Sequence, residues 1–208
     1  MKTVLVTLLC VAAIALCAAF GARFFFKRQT PPLPLTAKLP GKAAIVYYSQ
    51  SKVRNTALLA QWIAKATGGD LVEIEMEEPY PEPYPATLKA AGRDHREGIL
   101  PAIKPLPSLD AYDVVFIGSP IWYGSYAAPV GTFLKDNDLK GKIVAPFCTH
   151  GGGGEGRFLQ DIKSACPEAK VLDSLSLRGS NQIERRLGLG VNSHHTENDV
   201  TDWLNKLF

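Results

Sequence analysis

The chain is poor in cysteine, with four in 208 residues, and none of them forms a Cys-x-x-Cys pair or has a companion histidine at metal-ligand spacing. That excludes a zinc module and a disulfide scaffold. Cys10 and Cys17 fall in an apolar run, Cys148 ends an apolar strand and Cys166 closes a helix ahead of Pro167, so the last two read as buried thiols, with a single disulfide between them as the alternative. No Gly-x-Ser-x-Gly is present and no Ser/His/Asp set can be assigned, which removes support for a hydrolase. No Gly-Lys-Ser or Gly-Lys-Thr closes a glycine loop, so there is no Walker-type nucleotide site. Acidic residues are missing from residues 1–42, which hold six Lys or Arg, leaving 17 basic and 20 acidic residues in 43–208. The formal charge of +3 therefore belongs to the leading segment, and the rest is near −3 without a basic patch, excluding a nucleic-acid footprint.

What is present first is a long apolar run. Val4 to Phe26 carries no charge except Arg23, and 23 residues at about 1.5 Å per residue reach across a hydrocarbon core of about 30 Å. Residues 1–28 are expected to be an N-terminal membrane anchor. Arg23, Lys27, Arg28, Lys38 and Lys42 follow the run, so the positive-inside rule keeps the domain cytoplasmic on a single pass. The alternative is an exported protein with a cleaved signal peptide, for which Ala18, Ala19 and Gly21 supply small residues. Residues 29–42 hold four prolines and read as an extended spacer that holds the domain off the membrane.

From residue 43 the pattern alternates. Strands are expected at 43–48, 70–75, 113–118, 142–148 and 170–176, and helices at 55–67, 86–97, 127–136, 155–165 and 196–207. Five strands alternating with five helices imply an α/β fold, a doubly wound five-stranded parallel sheet over 43–208. Pro79 to Pro85 reads as a rigid surface connection, and 178–195 gives no clear pattern.

Three strand ends carry the chemistry. The first opens into Ser49-Gln-Ser-Lys-Val-Arg-Asn-Thr56 ahead of a helix, and hydroxyls and amides at a helix N-terminus suit a phosphate, with Lys52 or Arg54 adding charge. Asn55 or Thr56 acting only as a helix cap is the plain alternative. The third, Asp113-Val-Val-Phe-Ile-Gly118, is stopped by Gly118 and Pro120 and leads into Pro120-Ile-Trp-Tyr-Gly124, holding Trp122 and Tyr123 at the carboxyl edge for a planar ligand, unless the rings only cover the core. The fourth opens into Thr149-His-Gly-Gly-Gly-Gly154, where backbone can approach a flat ligand closely. His150 is either a donor to a bound substrate or an exposed loop residue. In the strand order 2-1-3-4-5 these loops are neighbours at a topological switch point.

The chain from about 43 to 208 resembles the flavodoxin family, in the branch with a Pro-Ile-Trp-(Trp or Tyr)-Gly loop. The resemblance rests on Tyr47-Tyr-Ser-Gln-Ser51 with Asn55-Thr56, Gly69 to Glu75 with Pro79-Tyr-Pro81, Tyr112 to Gly118 with Pro120 to Gly124, Pro146-Phe-Cys-Thr149 with the glycines after it, Cys166-Pro167 and Trp203-Leu204. It implies FMN as cofactor. Ser49, Gln50, Ser51, Arg54, Asn55 and Thr56 would hold its phosphate, and Pro120, Ile121, Trp122, Tyr123 and Gly124 would flank the isoalloxazine. Thr149, His150, Gly151, Gly152 and Gly153 would line the other edge. The first loop departs from the family's usual Ser-x-Thr-Gly-Asn-Thr: Lys52-Val53-Arg54 replaces the single glycine, so a loop two residues longer is expected to take another path. The implied function is an FMN-binding redox protein at a membrane, either an electron carrier or a reductase of a quinone or nicotinamide partner. The rival is a flavodoxin-fold binding or scaffold module without FMN.

Overall fold

The structure is a computed structural model that describes residues 33–180 and 195–208. The expected anchor, 1–28, and the first part of the proline-rich stretch lie outside the described residues. Among the described residues no helix is long and apolar enough to cross a membrane.

The expected doubly wound parallel sheet is present. In chain order the elements are β1 (Ala43–Tyr47), α1 (Asn55–Thr67), β2 (Asp70–Glu73), α2 (Tyr84–Glu97), β3 (Val114–Trp122), β4 (Ser125–Tyr126), α3 (Ala128–Asp136), β5 (Ile143–His150), α4 (Phe158–Ala165), β6 (Lys170–Val171), β7 (Leu175–Arg178) and α5 (Glu197–Leu207). The sheet runs β2-β1-β3-β5-β6, with β7 also parallel to β5 and β4 antiparallel to the end of β3. The apolar runs are buried on both faces, as a parallel sheet under helices requires. Val115 and Ile117 pack with Phe133, Phe158 and Ile162 on one side, while Val114 and Phe116 pack with Leu59, Ile63, Val200 and Leu204 on the other. Cys148 and Cys166 are buried free thiols.

The structure corrects three expectations. The fifth strand, expected as one run over 170–176, is two pieces: β6 pairs with Ile143 and Val144, and β7 with Phe147 to His150. Val144 accepts the Leu172 N–H, so by the two-residue period Pro146 faces the same neighbour with no N–H to offer, and the ladder lapses there. The indole of Trp203 donates instead to the Asp173 carbonyl at 3.0 Å.

The third strand does not stop at Gly118. It continues through Pro120, opposite Thr149, to Trp122. Gly118 is required by contact rather than by a turn, since a Cβ there would lie 2.2 Å from the Phe147 ring. The turn comes later, at Tyr123 and Gly124, with φ of 52° and 81°. Two central residues of positive φ make the tight hairpin turn whose twist matches its strands, pairing Trp122 with Ser125.

The described part of the proline-rich stretch is docked rather than free. The Leu33 N–H donates to Asn198 Oδ1, while the Thr36 N–H, Thr36 Oγ1 and Ala37 N–H all converge on Asn205 Oδ1 at 2.9–3.0 Å. Asn205 Nδ2 returns a bond to the Pro34 carbonyl, and Leu35 and Leu39 pack against the core beneath α5.

Candidate functional site

The carboxyl ends of β1, β3 and β5 open onto a cavity of about 890 Å³. Of the residues expected there, Ser49, Gln50, Ser51, Asn55, Thr56, Pro120, Ile121, Trp122, Thr149, His150 and Gly151 line it. Arg54, Tyr123, Gly124, Gly152 and Gly153 do not.

The first loop explains Arg54. The insertion is absorbed in a turn closed by the Arg54 N–H on the Ser51 carbonyl at 2.9 Å, and Arg54 itself takes the left-handed conformation, φ 56° and ψ 37°, directly before α1. The position directly before Asn55 thus has the conformation that glycine takes most readily but is filled by an arginine. The conformation is held by its side chain, which donates to the Ser49 carbonyl and to both carboxylate oxygens of Glu73 at 2.6 and 2.7 Å. The guanidinium is committed to β2. Tyr47 Oη also donates to Glu73, and burial, ahead of that carboxylate's charge, pushes the phenol up to about 12.

Capping of α1 falls to Ser49, whose Oγ accepts the Ala57 N–H at 3.3 Å. Asn55 instead clasps the strand end opposite: its Nδ2 donates to the Ser180 carbonyl at 3.0 Å and its Oδ1 accepts from Ser180 Oγ at 3.2 Å. Gly179 is needed for that clasp, since a Cβ there would lie 2.5 Å from the Asn55 amide nitrogen. Thr56 and Thr149 share a hydroxyl hydrogen bond of 2.8 Å, tying the first loop to β5.

The hairpin turn divides the two aromatics. Trp122 stays on the cavity wall, edge-on to Tyr48 at 5.9 Å and tilted on Tyr80 at 5.6 Å. Tyr123 goes to α2, stacking on His95 at 5.2 Å and donating from Oη to the Leu88 carbonyl at 2.7 Å. Gly92 makes room, as a Cβ there would sit 2.7 Å from Tyr123 Oη.

On the third side His150 Nδ1 accepts the N–H groups of Gly152 at 3.0 Å and Gly154 at 3.2 Å. Burial, followed by the neighbouring His195 and Arg178, holds its pKa below the ordinary histidine value, so the ring is neutral at pH 7. With Nδ1 an acceptor, Nε2 carries the proton.

The sequence reading did not include the fourth and fifth walls in the site. Glu82, Pro83, Tyr84, Pro85 and Thr87, from the start of α2, and Arg178, Gly179 and Ser180, after β7, also line the cavity. The run of prolines over 79–85 was the available signal for the fourth, since it stiffens a connection that closes one side. Among the described residues no group of His, Cys, Asp and Glu is arranged to hold a metal ion.

The doubly wound sheet places a polar-and-aromatic cavity at its switch point, where open α/β sheets bind ligands outside their strand ends. Residues 42–207 match the family described as Flavodoxin, and the chain belongs to that family. Among solved structures, a protein from Bacteroides eggerthii assigned as a flavoprotein is 30% identical, with a TM-score of 0.60 over 72% of this chain and 96% of its own. A flavoprotein from Lactobacillus acidophilus, solved in complex with FMN, is 26% identical, with a TM-score of 0.54 over 71% of this chain and 97% of its own. No curated protein is a significant match to the chain.

Proposed function

We propose that the domain binds FMN in this cavity and acts as a redox flavoprotein, an electron carrier or a reductase of a quinone- or nicotinamide-type partner, tethered to a membrane by residues 1–28. The observation that carries this reading is the cavity itself. Its volume of about 890 Å³ lies within the ~300–1,000 Å³ of small-molecule and cofactor sites, and it joins hydroxyls at a helix N-terminus, an aromatic wall and a neutral hydrogen-bond donor. That donor set suits a flat, hydrogen-bonding ring with a phosphate arm. The FMN complex of the Lactobacillus relative supports the same ligand.

In this reading Ser49, Ser51 and Thr56 hold the phosphate at the start of α1, where the helix dipole favours negative charge. The Arg54 guanidinium serves the loop and leaves the phosphate to hydroxyls and backbone. Trp122 lies against the ring system, and Thr149, His150 and Gly151 meet its polar edge. Bound FMN would supply one- and two-electron transfer, and the protein sets its position and surroundings. Purified full-length chain titrated with FMN is the test. Micromolar or tighter binding, with a flavin absorbance band that persists through gel filtration, is expected. A chain that stays colourless after FMN is added would sink the proposal.

A further inference from the structure

We infer that His150 is held as a fixed Nε2–H donor to the ligand of the cavity, its Nδ1 being the latch that folds the glycine turn 151–154 onto the ring. The donor half rests on the flavin reading above; the latch does not. His150 is the last residue of β5 and is fixed at its backbone as well, its carbonyl accepting the Gly179 N–H at 2.8 Å. Both N–H groups of the turn that reach the imidazole converge on one atom, Nδ1. An atom that accepts two donors cannot carry a proton, so the ring has one tautomer available while the turn is closed. Gly152 and Gly154 have φ of 129° and 76°, values that a side chain resists, so the path bringing both amides to one nitrogen depends on glycine. A serine or threonine at 150 would offer a hydroxyl that rotates between donor and acceptor; the imidazole separates the roles onto two atoms and faces the ligand with a donor only.

This arrangement is sensitive to acid. Among the described residues, the charged and titratable groups that act on His150 are Arg178 on β7, His195 ahead of α5 and Glu155 ahead of α4. Arg178 and His195 oppose a second proton on the ring, and Glu155 favours it. Protonation of Nδ1 removes the acceptor and sets an N–H against two others, so the turn must open as the imidazolium forms.

The test uses the full chain, with ¹⁵N-labelled histidine and glycine and no flavin at first. Long-range ¹H–¹⁵N spectra at neutral pH should show His150 with its proton on Nε2, and the Gly152 and Gly154 amide signals should move with the imidazole midpoint on acidification. A proton on Nδ1, a tautomer mixture, or glycine amides indifferent to that midpoint would overturn the latch. Two variants then separate the atoms, because Asn places an acceptor near the Nδ1 position and Gln a donor near Nε2. H150N should keep the glycine amide shifts and weaken FMN binding about five- to tenfold, the worth of one neutral hydrogen bond. H150Q should lose the amide shifts yet bind FMN within about threefold of the wild type, a crossed pattern that general damage to the fold does not produce. Equal FMN affinity in all three overturns the donor role. A wild-type chain that takes no FMN overturns the flavin reading and the donor role with it, while the flavin-free spectra still judge the latch.

Discussion

Arg54 and Glu73 form a two-pronged ion pair, 2.6 and 2.7 Å, that reaches from a left-handed residue at the mouth of α1 to the second strand. A non-glycine residue in that conformation costs about 1–2 kcal/mol, and the pair offsets it while also holding the Ser49 carbonyl. Arg54→Ala keeps the backbone cost and loses the clamp, so it should destabilise by about 1–2 kcal/mol in urea unfolding. Arg54→Gly loses the clamp but removes the cost, and should fall between Ala and wild type. An alanine variant as stable as the wild type would show that the clamp does not hold the turn.

Trp122 and Tyr123 should separate cleanly. Trp122→Ala removes contacts with Tyr48 and Tyr80 and the cavity wall; FMN affinity should drop at least tenfold, with a loss of about 2–3 kcal/mol of stability. Tyr123→Ala removes the His95 stack and the bond to Leu88, costing about 1 kcal/mol and leaving FMN affinity within about twofold. Parallel FMN titrations and thermal melts check both, and equal loss of affinity would place Tyr123 at the ligand.

Stability should fall on mild acidification, in part through His150. Its folded pKa lies below the ordinary value of about 6.5, so the folded state binds the proton less readily than the unfolded chain. The contribution is complete above about pH 6.5 and is lost as pH falls through the folded value. Denaturant midpoints between pH 7.5 and 5 should fall less steeply in H150Q than in the wild type; identical slopes would mean that His150 titrates as in the unfolded chain.

Cys148 is buried, and that burial pushes its thiol up to about 12. With Cys10 and Cys17 replaced by serine, the native chain should react negligibly with a thiol reagent at pH 8, while two thiols should appear in denaturant. Prompt labelling of the native protein would contradict the burial of Cys148 on β5, where its Sγ donates to Ser176 Oγ on β7 at 3.4 Å.

Asn205→Ala removes the acceptor shared by Thr36 and Ala37. It should cost about 1–3 kcal/mol and raise amide exchange across 33–39, with FMN affinity unchanged. Exchange that stays slow would show that Leu35 and Leu39 hold the strap alone.

The three loops were legible because each strand end is marked by its own chemistry: hydroxyls before a helix, an aromatic pair before glycine, and a glycine run. What stayed hidden depends on partners distant in sequence. Pro146 interrupts a neighbouring strand rather than its own, and Arg54 reads as free charge until Glu73 is placed beside it. The side taken by Tyr123 is set by a turn of positive φ, which periodicity does not encode. Leu33, Leu35 and Leu39 were in view, but the prolines among them favoured a spacer over a strap. The wall at Glu82–Thr87 is marked only by its prolines and that at Arg178–Ser180 by no motif; the sheet order brings both to the cavity.

The strap has a mechanical consequence. Its backbone is tied at Asn198 and again at Asn205, so tension applied to the chain ahead of Leu33 is borne first by the last helix and only then by β1. The earliest described residues and the C-terminal helix therefore share one load path, and a force on the leading segment reaches the sheet through its final element.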